Sequence, residues 1–212
     1  DLEGLITKIR DEAEFNRCFE FETQKLYLDA AECFTAYANA YPKTPLLDRA
    51  LFNAAVNYTR GKDAQRALVA FGDLYNRQGN SPLAPRALFS IGELFRNIAI
   101  YSEAARNYEL YVANHKKHKY VEKALRHAST FRRALGDYDL AIANYKKYLS
   151  LFPDSESAAS VQFDVGLIYE EQEKWRDVEK HFKRFLKKRA KKGEVNSLTL
   201  GANLKIGLAL WN

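Results

Sequence analysis

Methionine does not occur in this chain of 212 residues, not even at the first position, so the sequence reads as a mature or excised piece of a longer protein. Cysteine occurs only twice, which excludes a disulfide framework, and no CxxC or zinc-type spacing is present. Glycine (10) and proline (5) are sparse, which disfavours a sheet protein built on many tight turns. No run approaches the roughly 18 apolar residues that a membrane helix needs. The opening DLEGLITKIR lacks the basic and apolar regions of a signal peptide. Signatures of catalysis are missing too. Gly61-Lys62 lacks the upstream glycine and the Ser/Thr of a phosphate loop, and there is no GxSxG, HExxH or GxGxxG. We therefore expect no enzyme, no cofactor and no metal.

Hydrophobic residues make up 47% and charged residues 28%, as in a folded domain. The formal charge of +6 is unevenly spread. Residues 1–42 carry 4 basic and 9 acidic side chains, whereas 183–192 (KRFLKKRAKK) carry 7 basic and none acidic. A helix C-terminus favours cations, so the basic run reads first as a solvated helix end. The competing reading is a patch for a polyanion or an acidic partner.

One phrase returns at a fixed spacing. YLDAAECF at 27, AQRALVAF at 64, YSEAARNY at 101, YDLAIANY at 138 and WRDVEKHF at 175 are in register. The columns read Tyr27, Ala64, Tyr101, Tyr138, Trp175; then Ala30, Ala67, Ala104, Ala141, Val178; then Phe34, Phe71, Tyr108, Tyr145, Phe182; then Tyr37, Leu74, Tyr111, Tyr148, Phe185. Offsets of 3, 4 and 3 place them on one helical face. A second helical pattern precedes each copy, with a small-residue column of Cys18, Ala55, Gly92, Ser129 and Gly166. Breakers such as RGKD and LGDY separate the two helices, and YPKTP, NSPLAP and FPDSES separate the copies. Cys18 in the small column suits packing. A bridge to Cys33 stays open and would suit an oxidising compartment.

A pair of helices cannot bury both faces alone, so pairs of this kind stack. The expected fold is all-α, a right-handed superhelical solenoid of antiparallel helix pairs with a 37-residue repeat. We expect one domain over 1–212: five pairs in 1–190, opened by a first helix over 2–24, and the first helix of a sixth pair over 198–211. There Leu204, Leu208 and Trp211 should present apolar surface.

The pattern resembles the tetratricopeptide repeat family. Its small residue, aromatic, Ala-x-x-x-aromatic order appears as Ala55, Tyr58, Ala67, Phe71 and as Gly166, Tyr169, Val178, Phe182. The closing proline appears as Pro42 and Pro153 but is replaced by Gly79, Lys116 and Ala190, so those turns should differ. The longer linker looks like the variety in bacterial cell-envelope proteins such as the outer-membrane assembly lipoprotein and the periplasmic coordinator of the Tol-Pal system. The resemblance implies a periplasmic or envelope location, the alternative being cytoplasmic. It also implies a protein-interaction scaffold whose first helices line a concave groove.

On that reading the groove holds Arg49, Phe52, Asn53, Arg86, Phe89, Arg96, Lys123, Arg126, Arg133 and Phe163, with Asn53 able to bind a peptide backbone. This mixture suits a protein or peptide partner with acidic and apolar groups. The family's chaperone-tail clamp does not fit, because Phe52 and Val56 stand in its polar positions. RNA is disfavoured as a partner: the acidic first repeat and Glu93, Glu170 and Glu171 interrupt a basic stripe. A regulatory domain of a larger enzyme is the third reading. His115 and His118 lie in a lysine-rich linker with no further ligand near in sequence, and the Asn57-Tyr58-Thr59 sequon falls inside a helix. Nothing in the sequence sets the oligomeric state.

Overall fold

The computed structural model describes residues 2–190 and 195–212, with all their side chains except those of Glu3, Thr7 and Ala190. Among these residues there are eleven helices and no strand: α1 (Leu2–Thr23), α2 (Tyr27–Ala40), α3 (Leu47–Arg60), α4 (Ala64–Arg77), α5 (Ala84–Asn97), α6 (Tyr101–Asn114), α7 (Val121–Ala134), α8 (Tyr138–Leu151), α9 (Ala158–Glu171), α10 (Trp175–Ala190) and α11 (Ser197–Trp211). The second helix of every pair starts on the residue that opens the repeated phrase. Backbone contacts gather the chain into two compact units, Asp1–His118 with α1–α6 and Lys119–Asn212 with α7–α11. None of the described helices is long and apolar enough to cross a membrane.

Each hairpin turn is closed the same way. Lys25, Lys62, Ala99, Gly136 and Glu173 all have positive φ, between 55° and 79°. The amide after each of them bonds back five residues, as in Asp63 N–H to the Tyr58 carbonyl at 2.9 Å and Lys174 N–H to the Tyr169 carbonyl at 2.9 Å. This is the Schellman closure, which favours glycine; only Gly136 meets that preference.

The repeat columns are the core. Ala30, Ala67, Ala104, Ala141 and Val178 are fully buried, as are Phe34, Tyr108, Phe182 and most of the next column. The alanines let the two helices of a pair approach, and the rings fill what remains. The small column matters for the same reason. A Cβ on Gly92 would stand 2.9 Å from the Tyr108 ring, and one on Gly166 2.4 Å from the Phe182 ring. The opening column, at the helix start, is less buried than the other three: Tyr101 is exposed, and Tyr27, Ala64, Tyr138 and Trp175 are half-buried.

The turns after α2, α4, α6 and α8 were expected to differ with the presence of proline. They do not. Tyr41, Gln78, His115 and Phe152 share φ between −122° and −130° and ψ between 42° and 62°. This backbone is open to any residue, and in three of the four linkers the rest is fixed by a hydroxyl rather than by proline; after α6, His118 takes that place and contacts the Tyr111 hydroxyl. Thr44, Ser81 and Ser155 accept from the amides of Leu46, Leu83 and Ser157 at 3.0–3.2 Å. Each also donates to a carboxylate on the preceding first helix: Thr44 to Asp11 at 2.8 Å, Ser81 to Asp48 at 2.6 Å and Ser155 to Glu122 at 2.6 Å. Tyr37 and Tyr148 donate to the same carboxylates, Asp11 and Glu122. Burial and the Asp11 hydrogen bond push the Tyr37 phenol up to about 12, while Ser155 and Tyr148 hold the Glu122 carboxyl low. The Ala190 turn lies outside the described side chains.

Cys18 and Cys33 are bridged, joining α1 to α2 with Cα atoms 5.5 Å apart. Packing and pairing thus coincide: Cys18 stays fully buried, in the small column.

Candidate partner-binding groove

In unit 1, Arg49, Asn53, Val56 and Arg60 succeed one another at helical spacing on α3, as do Arg86, Ser90, Glu93 and Asn97 on α5. Between these stripes lies a cleft of about 190 Å³, lined by Val56, Thr59, Arg60, Ser90, Glu93, Leu94 and Asn97, with Phe71 of α4 contributing. Val56, Phe71 and Leu94 supply its apolar wall, and Thr59 and Arg60 of α3 with Ser90, Glu93 and Asn97 of α5 bring polar groups to it.

Phe52 and Phe89 belong to the core instead of the groove surface. They are 7% and 6% exposed, and their rings meet Phe71 at 5.7 Å and Tyr108 at 5.5 Å. The arginines expected with them each rest on a ring of the preceding first helix. Arg49 sits over Phe15 at 5.5 Å and Arg86 over Phe52 at 4.7 Å. A cation over a ring face is held by the ring quadrupole yet keeps its N–H donors outward. Both residues are exposed, and among the described residues neither has a carboxylate within ion-pair distance. Both lie in the first turn of their helices, where the helix dipole disfavours a cation. Asn53 is half-buried, one turn after Arg49 on the α3 stripe.

The other groove cations are engaged. Arg96 pairs with Glu93 at 3.1 Å, and Glu93 also accepts from the Tyr108 hydroxyl. Arg60 pairs with Glu22. In unit 2, Arg133 forms a forked contact with Glu171 (Nη2 at 2.7 Å, Nε at 3.1 Å) and reaches Asp164 at 3.4 Å. Glu171 holds the Arg133 guanidinium toward its charged form, and burial pushes the Asp164 carboxyl up. Arg126 donates to Ser157 at 3.2 Å, and Lys123 is exposed on α7. Phe163 packs on Phe182 at 4.9 Å and lies against Gly201. Among the described residues no three His, Cys, Asp or Glu side chains gather as metal ligands.

Val56, Arg60 and Glu93 fall on the first-helix columns expected to line the groove, and the structure brings them together in this cleft.

The tetratricopeptide repeat model matches residues 124–155, which span the α7–α8 pair. Solved structures agree on the fold. A tetratricopeptide repeat protein from Parabacteroides merdae is similar with a TM-score of 0.58 at 16% identity, over 93% of this chain and 73% of that one. MamA from Desulfovibrio magneticus RS-1 gives 0.54 at 14% identity, over 87% and 97%. Kinesin light chain TPR-like repeats from Podosopora anserina give 0.53 at 13% identity, over 88% and 98%. No curated protein matches the sequence. The fold is that of the tetratricopeptide repeat, and the matched repeat supports membership of that family.

Proposed function

We propose that this chain is a non-enzymatic scaffold that holds an acidic, partly apolar peptide segment of a protein partner on the groove face of unit 1. The observation that carries this is the pairing of two uncommitted, ring-seated arginines, Arg49 and Arg86, with an apolar cleft along the same helices. Carboxylates of the partner would take charge-assisted hydrogen bonds from the guanidinium groups, and an apolar side chain would enter the cleft. Neither arginine need be drawn away from an internal carboxylate first.

We place the scaffold in a bacterial envelope complex. The Cys18–Cys33 bridge supports an oxidising compartment. Protein isolated from its source without reductant should resist thiol alkylation at both cysteines; ready alkylation would argue for a reducing compartment instead. The binding reading is tested with an array of glutamate- and leucine-containing peptides. Peptides that bind should do so more weakly as salt rises, and Val56→Glu should abolish binding while leaving the helical signal intact. An array with no binder at low salt would overturn it.

A further inference from the structure

The basic run at the end of α10 is only part of a larger feature. Lys180, Lys183, Arg184, Lys187 and Lys188 are all exposed on α10. On α8, the second helix of the preceding pair, Lys146 and Lys147 are exposed at the positions that correspond to Lys183 and Arg184. The two groups share a field: both Lys146 and Arg184 disfavour protonation of His181, the half-buried imidazole on α10 that contacts the Gln162 carbonyl at 2.7 Å. Lys183 pairs with Glu179 at 2.5 Å. The other six have no carboxylate within ion-pair distance among the described residues. Lys191 and Lys192, which end the run, lie outside those residues.

A solvated helix end explains cations in the last turn of α10, where the dipole favours them. It does not explain Lys180 in the middle of α10 or the lysine pair on α8. The make-up of the patch narrows the ligand. Six of the seven are lysines, strongly hydrated point charges without the planar fork that reads a carboxylate or a guanine. No aromatic side chain is exposed among them, so there is no platform on which bases could stack. Clustered lysines without directional partners match a surface of diffuse negative charge.

We propose that unit 2 docks through this face of α8 and α10 on the surface of an anionic phospholipid bilayer. The contact is electrostatic and uses no residue of the unit 1 groove.

Sedimentation of the whole chain with phosphatidylcholine vesicles, with and without phosphatidylglycerol, tests this. Binding should require phosphatidylglycerol and weaken steeply with salt. Lys146→Gln with Lys147→Gln should weaken it about thirtyfold, at about fivefold for each lysine near an anionic surface. Lys187→Gln with Lys188→Gln should do the same, and Arg49→Glu with Arg86→Glu should leave it unchanged. Circular dichroism confirms that each variant is folded. The proposal is overturned if the chain ignores the anionic vesicles, if it binds neutral ones equally, or if the α8 pair has no effect. Binding to single-stranded RNA or polyglutamate in place of vesicles would assign the patch to another partner and also overturn it.

Discussion

Arg86 in unit 1 and Arg133 in unit 2 stand on first helices of the same kind, yet their surroundings differ. Arg86 rests on the Phe52 ring with no carboxylate in reach. Arg133 is held by Glu171 and Asp164. A partner carboxylate offered to Arg133 must displace two internal ones, and the same carboxylate offered to Arg86 displaces only water. A basic residue in a groove column is thus not by itself a binding group; what its neighbours leave unsatisfied decides. Unit 1 also carries the disulfide, and unit 2 the exposed lysines, so the two units divide their chemistry as well as their contacts.

The largest effect expected concerns the first hairpin. Cys18→Ser with Cys33→Ser opens a loop whose cysteines are 15 residues apart. Loss of such a bridge costs about 3 kcal/mol, and it should fall on unit 1 alone. Chemical unfolding monitored by hydrogen exchange would show protection falling in α1–α3 and staying unchanged in α8–α10.

Next come the two glycines under rings. Gly166→Ala in unit 2 and Gly92→Ala in unit 1 each overpack a contact, at roughly 1–3 kcal/mol, partly offset by the better helix propensity of alanine. Gly166→Ala should be the worse, because the Phe182 ring stands closer than that of Tyr108. Equal melting shifts would show that both rings can step aside.

A smaller change should narrow the difference between the grooves. Glu171→Gln combined with Asp164→Asn frees Arg133 and should raise the affinity of unit 2 for acidic peptides roughly tenfold, one charge-assisted contact. Unit 2 fragments titrated before and after the change would report it; no gain would mean that geometry, not neutralisation, silences Arg133.

The smallest effect is a pH slope. Burial holds the His181 imidazole of unit 2 below its ordinary 6.5. The unfolded chain therefore takes up more protons than the folded one below that value. Stability should fall as pH drops under about 6.5 and level off below the folded value. His181→Gln should flatten this part of the melting-temperature profile, and an unchanged slope would assign it to other groups, His115 of unit 1 among them.

Much of this was legible from repetition. Five copies in register placed every second helix, and the alanine column announced the close approach of helices that its full burial then displays. Leu204, Leu208 and Trp211 on α11 are exposed, as expected. The groove was half legible. Arg49 and Arg86 could be picked out as a column, but Phe52 and Phe89 could not be told from groove residues by type: a phenylalanine suits a core and a binding surface equally. One helical step decided between them. The hydroxyl–carboxylate contacts between repeats were hidden for another reason. Asp11 and Thr44 are 33 residues apart, and proline drew notice in a linker that Thr44 and its counterparts fix.

The central claim is that the uncommitted arginines of unit 1 recognise the partner, and charge reversal at Arg49 and Arg86 tests it most directly. Exposed charge changes rarely alter stability much, so Arg49→Glu with Arg86→Glu should keep the wild-type melting curve while losing affinity for a bound acidic peptide, measured at two salt concentrations. The same reversal at Arg133 should cost stability in unit 2 and leave peptide affinity alone. Full affinity in the Arg49/Arg86 variant, or a greater loss on changing Arg133, would contradict the account.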